Sequence, residues 1–279
     1  MIDLILSILS ATAILIMFKV LEHRKIRLLL PIIINYLTAT GLGLGLTFGN
    51  SGTAGIFKAP WLFMALIIGI LLICLFWVIG LSTQKAGMAV TTISTRMSVI
   101  IPMAFSICWL NEDLNLLKAG GMAMGLAALA LSGRKGPKTN LNFFFLPLIL
   151  FLGIGILDSL VKFTQHFLLQ EGDFAFFTGA CFFFAFAAGF LICMVKGVGL
   201  KPFFQPGILI SGLVLGCVNF GSIFFLIRAL EKDAFDASIL FGLNSVGIVC
   251  LSVFAAAILF KEKLTRANWT GVGLAVLAI

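Results

Sequence analysis

The stretch AGMAVTTISTRMSVIIPMAFSICWL, residues 86–110, decides the fold class of this chain. It is apolar or weakly polar except for Arg96, and a helix of this length would rise about 38 Å, more than the ~30 Å hydrocarbon core of a bilayer. A guanidinium stays charged at physiological pH. Burying it at mid-bilayer costs at least ~2.5–3.5 kcal/mol, so such residues usually face a bundle interior or a wet cavity. Arg96 is therefore the first candidate for a functional residue.

The composition as a whole places the chain in a membrane. Hydrophobic residues make up 61% of it and charged residues 11%, against roughly 25% charged in soluble domains. Because every backbone polar group must be satisfied within lipid, the expected class is an all-α integral membrane protein. Ten apolar segments are predicted to be transmembrane helices: 4–21, 28–48, 60–81, 86–110, 116–131, 143–168, 174–195, 206–230, 237–260 and 267–279. The last is too short to span, which predicts a helix truncated before its natural end.

An internal repeat divides these segments into two halves. Residues 1–131 and 143–279 each hold five segments, and the basic linker 132–142 separates them. The halves align without gaps at an offset of 150 positions, which places Glu112 over Glu262. Because an odd number of helices turns the second half over in the membrane, the sequence predicts two inverted five-helix repeats.

Lysine and arginine are shared unevenly between the loops. The odd-numbered loops hold thirteen of them and the even-numbered loops hold four. The positive-inside rule therefore predicts cytoplasmic odd loops and an external N-terminus, in a cell membrane of the bacterial inner-membrane type. The net charge of +8 is dispersed over short loops, so it does not indicate nucleic-acid binding.

Residues that enzymes use form no recognisable pattern. Two histidines and six cysteines without CxxC spacing assemble no metal site. No GxxxxGK[ST] motif for nucleotide phosphates occurs, and no nucleophile or carboxylate pair gathers at one membrane face. The sequence therefore predicts neither catalysis nor a cofactor, and the expected partners are the lipid bilayer and a small-molecule solute.

Each half ends in an apolar fourth segment, a short acidic loop and a Gly-rich fifth segment. The loops begin Asn111-Glu112 and Lys261-Glu262. This ten-helix duplication resembles the drug/metabolite transporter superfamily, and its EamA-type ten-helix members in particular, over nearly the whole chain. The resemblance implies a basket of ten helices around a central cavity and secondary transport of small organic solutes by alternating access. Substrates across that family range from amino acids to cationic drugs, so the resemblance names none.

Polar side chains gather at matching depth in the fourth and ninth segments. Thr92, Thr95 and Arg96 follow helical spacing and share one face. Pro102 removes a helix hydrogen bond and is predicted to free the carbonyl oxygen of Ser98. The predicted solute-binding residues are Arg96, Thr92, Thr95, Asn219, Asn244 and Ser245. Arg96 aligns with an apolar position in the ninth segment, and this asymmetry suits a solute with one acidic end.

The sixth segment carries a second polar face. Asp158, Lys162 and His166 are each four residues apart and so lie on one side of a helix. Asp158 is the one acidic residue deep inside a segment, which makes it, together with His166, a candidate for proton coupling. The alternatives are a local ion pair between Asp158 and Lys162, and a structural pair between Asp158 and Arg96. Asn35 is predicted to form an interhelical hydrogen bond.

These observations lead to one expected function and two alternatives. The expected function is secondary transport of a small organic metabolite with a carboxylate or phosphate, such as an amino acid, whose anionic group Arg96 binds. Export of cationic drug-like compounds is the alternative within transport, although the first segment lacks the acidic residue of the small multidrug members. A non-transport membrane scaffold or enzyme is the alternative of another class, and the short loops disfavour it.

Overall fold

The computed structural model describes residues 1–47, 59–109, 116–132, 145–170, 173–230, 237–262 and 265–279. Within these ranges the regular secondary structure is helical, as the composition predicts. The α-helices are α1 (Ile2–His23), α2 (Leu29–Thr47), α3 (Leu62–Lys85), α4 (Met88–Met97), α5 (Ile100–Trp109), α6 (Leu116–Ser132), α7 (Phe145–Phe167), α8 (Asp173–Val195), α9 (Pro206–Leu230), α10 (Ala237–Ile258) and α11 (Arg266–Ala278). A 3-10 helix, Lys201–Phe204, precedes α9.

Seven helical stretches of the described residues are long and apolar enough to cross a membrane. Six of them lie in α1, α3, α7, α8, α9 and α10, and the seventh runs through α4 and α5 over Met88–Phe105. The apolar stretches of α2 and α6 are shorter, Leu29–Gly43 and Ala119–Leu131. The chain is therefore a multi-pass membrane protein.

The helix bounds follow the predicted apolar segments closely, because hydropathy and the need to satisfy backbone groups act on the same residues. One predicted segment behaves differently. The stretch 86–110 is not one continuous helix, since α4 ends at Met97 and α5 begins at Ile100. Arg96, the charged residue of that stretch, lies at the end of α4.

The helices form two compact units. Unit 1 consists of Met1–Val20, Val78–Ile156 and Gly221–Ile279, and unit 2 consists of Leu21–Trp77 and Leu157–Phe220. Four helices, α1, α3, α7 and α9, therefore contribute one part to each unit. Each unit contains residues from both halves of the sequence, 1–131 and 143–279.

Helix α4 lies at the core of unit 1. It packs against α6, α10 and α11, and its residues Ile93 and Met97 are fully buried in a cluster with Val249 of α10. A Cβ added to Gly125 of α6 would lie 2.8 Å from Ile100. Lipid is as apolar as these side chains, so close packing of this kind, rather than removal from water, stabilises helix contacts here.

Unit 2 is built around the packing of α2 against α8. Its apolar cluster includes Trp61 and Phe177, whose rings meet edge to face with centroids 6.0 Å apart. Glycines of α9 allow close approach to α2, since a Cβ on Gly216 would lie 2.5 Å from Thr38. Aromatic and small-residue contacts therefore account for much of this unit.

Candidate functional site

Helix α4 begins at a backbone turn that only glycine adopts easily. Gly87 has φ 105°, which lies in the region that L side chains rarely enter. As the N-cap residue it has no side chain with which to cap α4. Thr91, one turn into the helix, donates a hydrogen bond to the Gly87 carbonyl oxygen, and its Oγ1 lies 2.7 Å from Ser82 Oγ of α3. These bonds fix the start of α4 within unit 1.

Arg96 lies two residues before the interruption between α4 and α5. The Val99 N–H reaches the Arg96 carbonyl oxygen at 3.5 Å, and the Ile101 N–H donates to the Ser98 carbonyl oxygen at 3.0 Å. The helix therefore tightens into a turn at Ser98 and Val99. The prediction that Pro102 frees the Ser98 carbonyl was wrong, because the Ile101 N–H takes that oxygen in place of the missing donor of Pro102.

Hydroxyl groups of α4 are bonded back to its own backbone. Thr92 Oγ1 donates to the Met88 carbonyl oxygen and Thr95 Oγ1 to the Thr92 carbonyl oxygen, each at 2.9 Å. The same pattern includes Thr91, Ser94 and Ser98. A hydroxyl that donates to the backbone keeps acceptor lone pairs. Thr92 and Thr95 can therefore accept hydrogen bonds from a solute, whereas their protons are already used.

The faces of α4 differ in exposure, and Met97 at its end is fully buried. Met88 and Thr92 are fully buried, Thr95 and Arg96 are half-buried, and Val99 is 47% exposed. Arg96 thus carries a fixed charge near the centre of a candidate membrane span while keeping part of its side chain accessible. That Arg96 faces a bundle interior or a wet cavity stays a prediction.

Helix α10 brings two more predicted binding residues to the neighbourhood of α4, against which it packs. Asn244 is 5% exposed, and its Oδ1 has no hydrogen-bond partner among the described residues. A buried carbonyl oxygen without a partner is costly, and it is available to a donor that enters from outside the protein. Ser245 is half-buried.

The remaining predicted residues belong to unit 2 and lie on α7 and α9. On α7, Asp158 and Lys162 are half-buried, and His166 is exposed with its ring edge against Phe167. On α9, Asn219 is buried and its Nδ2 donates to Asn35 Oδ1 of α2 at 3.1 Å. The predicted interhelical role of Asn35 is confirmed. Asn219 is therefore engaged in holding α9 to α2.

One cluster that sequence analysis missed caps the start of α4. The Glu262 carboxylate accepts the Met88 N–H, at 3.2 Å for Oε1 and 3.1 Å for Oε2. Lys19 Nζ lies 3.0 Å from Glu262 Oε1 and 3.5 Å from the Gln84 carbonyl oxygen. We call Lys19, Glu262 and the Met88 amide the clasp. The repeat alignment singled out Glu262, but a partner 174 residues away leaves no local pattern in the sequence.

The described residues contain no group of three or more His, Cys, Asp and Glu side chains able to hold a metal ion. A guanidinium such as that of Arg96 can bind an anionic group through charge and hydrogen bonds.

Comparisons with known proteins establish the extent of similarity. No family model matches the chain. A Haemophilus influenzae protein, described as "Uncharacterized protein", is 28% identical over 290 residues, which cover 99% of this chain and 96% of that protein. A solved crystal structure matches with a TM-score of 0.57 and 14% sequence identity, covering 98% of this chain and 94% of the other. That likeness extends over the full length, and at this identity it concerns the fold alone.

Proposed function

We propose that this protein is a secondary transporter of a small organic metabolite that carries a carboxylate or phosphate group. The observation that carries the proposal is the half-buried Arg96 beside the interruption of α4 and α5, inside a candidate membrane span. Discontinuous helices with charged or polar groups near the bilayer midplane are a recurrent device for solute binding in transporters. Arg96 binds the anionic group, and Thr92, Thr95 and the free Asn244 oxygen accept hydrogen bonds from the rest of the solute.

The helix arrangement supports the proposal of two inverted five-helix repeats of the EamA type. At the offset of 150 positions, α6 (Leu116–Ser132) corresponds to α11 (Arg266–Ala278), α2 to α8 and α4 to α10. Each of these corresponding pairs packs together within its unit. Packing between equivalent helices is expected when two repeats are related by a two-fold axis. The ten-helix topology with cytoplasmic odd loops remains part of the proposal.

Two residues of α7 complete the proposed mechanism. Asp158 is half-buried and lies in the middle of a helix that is long enough to span a membrane. A carboxylate in this setting exchanges a proton between the two sides and couples solute movement to a proton gradient, and His166 relays the proton at the helix end. Asn219 contributes through its hydrogen bond to Asn35, which orients its amide.

Arg96 variants test the proposal. In protein reconstituted into liposomes and screened with labelled amino acids, other carboxylates and sugar phosphates, Arg96→Gln is expected to abolish uptake. Arg96→Lys is expected to weaken it, because an ammonium does not reproduce the bidentate fork of a guanidinium. Folded yield and melting temperature should be retained. Arg228→Gln is the matched control, since Arg228 is an exposed arginine of α9 that lies over the Phe224 ring, 5.7 Å from its centroid.

A second pair of variants separates solute binding from a structural role of Arg96. If Arg96 and Asp158 only neutralised each other, Arg96→Gln would strand a buried carboxylate at a cost of ~3–5 kcal/mol. Folded yield would fall, and adding Asp158→Asn would restore it. Rescue of yield by the double variant would contradict the proposal. In the proposed mechanism, Asp158→Asn alone removes proton-driven accumulation and leaves solute exchange intact.

A further inference from the structure

The clasp connects three segments of unit 1 that are far apart in sequence. Lys19 lies near the end of α1, Met88 begins α4, and Glu262 follows α10. A second contact supports the same junction, because Gln84 Nε2 donates to the Phe18 carbonyl oxygen at 3.0 Å. All of these residues adjoin odd-numbered loops of the sequence. The clasp therefore holds one end of unit 1 together.

The charges of the clasp are largely removed from solvent. The side chains of Lys19 and Glu262 are 11% and 16% exposed, so salt and water screen their attraction only weakly. The Glu262 carboxylate also lies at the positive end of the α4 dipole, where a negative charge is stabilised. Because Gly87 provides no side-chain cap, Glu262 supplies the cap that α4 lacks.

The backbone before Glu262 is held in a strained conformation that aims its side chain. Lys261 has φ 51°, in the left-handed region that is unfavourable for a residue with a Cβ. The turn it forms closes the end of α10, because the Glu262 N–H donates to the Ala256 carbonyl oxygen at 2.9 Å. Strain of this kind persists where surrounding contacts determine it, and it often marks segments that switch.

The clasp lies at the start of α4, and the half-buried Arg96 lies near its end. Thr91 and Thr92, which separate the two, are fully buried. Both of these side chains are inaccessible in this conformation.

We infer that the clasp is a gate: it closes the odd-loop end of unit 1 and opens when Glu262 releases both Lys19 and the start of α4. This inference rests on the proposed transport function. In alternating access each end must open in turn, and the clasp is a compact ionic contact whose two arrangements differ by a few bonds. When the clasp opens, the charged groups of Lys19 and Glu262 become hydrated. This hydration offsets the loss of their ion pair.

The repeat positions that correspond to the clasp residues carry a different set of residues. At the offset of 150 positions, Leu169 takes the place of Lys19, and Glu112, the counterpart of Glu262, lies outside the described residues. The position that corresponds to Lys19 therefore carries no lysine.

Thiol labelling tests the gate without any solute. The six native cysteines, all free, are replaced by alanine, and Thr92→Cys is introduced as a buried reporter one turn from Met88. A membrane-impermeant methanethiosulfonate reagent is added to sealed right-side-out or inverted vesicles. Labelling of Lys261→Cys, an exposed position beside the clasp, identifies the side that the clasp faces and tests the predicted cytoplasmic location of the odd loops.

In this background, Glu262→Gln removes the negative charge that holds Lys19 and the start of α4, and it is expected to raise the labelling rate of the Thr92→Cys reporter about tenfold, the difference expected for a charged hydrogen-bonded pair. Lys261→Gln removes a neighbouring charge outside the clasp and should leave the rate unchanged. The double variant Lys19→Met with Glu262→Gln strands no charge, so it should label fast while melting close to the parent protein. Unchanged labelling in Glu262→Gln would overturn the gate.

Three further outcomes are decisive. If the double variant returned both labelling and melting temperature to the parent values, the clasp would be a structural ion pair and the gate would be wrong. If Glu262→Gln labels fast and Arg96→Gln still transports, the result supports the gate and contradicts the proposed solute-binding role of Arg96. Loss of uptake in Arg96→Gln with unchanged labelling in Glu262→Gln would support that role and contradict the gate.

Discussion

Helices α4 and α5 differ sharply from α10, although the two stretches occupy corresponding positions 150 residues apart. The first is interrupted at Ser98 and Val99, carries Arg96 and holds Pro102. The second runs without a break over Ala237–Ile258 and has no charged residue. Both pack in the same unit and contribute to one apolar cluster. The same framework thus supports a broken charged helix and a continuous uncharged one.

The comparison shows that charge and interruption occur together. Val246 and Ser252 occupy the positions that correspond to Arg96 and Pro102. In α10 the Ser252 hydroxyl donates to the Val249 carbonyl oxygen, and the helix continues past it. A broken helix can present carbonyl and amide groups that a continuous helix consumes internally, which is why the proposed solute site lies on the broken copy.

The largest effect is expected when the break is transferred to α10. Ser252→Pro removes an N–H from the helix interior and brings the ring against the Ile248 carbonyl, at a cost of ~3 kcal/mol or more. The melting temperature and folded yield of the purified protein should fall markedly. Ser252→Ala, which loses only the hydroxyl bond, is the control and should cost about 1 kcal/mol. Equal melting of the two variants would mean that α10 tolerates the interruption as α4 and α5 do.

A comparable but smaller effect is expected when the charge alone is transferred. Val246→Arg places a guanidinium in a continuous helix, which costs ~2.5–3.5 kcal/mol at mid-membrane. Folded yield should fall, and Val246→Leu, which keeps an apolar side chain, should express normally. A full yield of Val246→Arg would show that the second copy accommodates charge as well as the first, and the contrast between the helices would then have no functional meaning.

The smallest effect on stability is expected when the break is repaired. Pro102→Ala restores an N–H that can bond to the Ser98 carbonyl oxygen, which should stabilise the protein by about 1 kcal/mol. Uptake should nevertheless decrease, because α4 and α5 become a single helix beside Arg96. Pro147→Ala, in the first turn of α7 where proline is tolerated, is the matched control and should change neither quantity. Unaltered uptake in Pro102→Ala would separate the interruption from function.

Sequence alone predicted the helices well and the contacts between them poorly. The bounds of α9 follow from an apolar run that begins at a proline, and such local information is complete in the sequence. Arg96 was found because a single charge in an apolar stretch is conspicuous. Pro102 also indicated a disturbed helix beside Arg96, but the Ser98 carbonyl oxygen is not free, because the Ile101 N–H binds it.

The clasp illustrates why the remainder was not predictable. Lys19 and Glu262 lie in ordinary loop-adjacent positions, where charged residues are expected in any membrane protein. Their contact depends on how α1, α4 and α10 pack, and that packing is set by apolar side chains such as Leu15, Met88 and Ala256. A pattern read along one segment contains no information about a partner in another half of the chain.

The back-bonded hydroxyls make α4 a mechanically compliant helix. Its four bonded Ser and Thr hydroxyls, and that of the C-cap residue Ser98, share carbonyl oxygens that would otherwise serve amides alone, and sharing of this kind weakens and bends helices. We therefore expect α4 to bend at a lower cost than a helix of the same length without these bonds. The segment that carries the Arg96 guanidinium is then also a segment that bends easily.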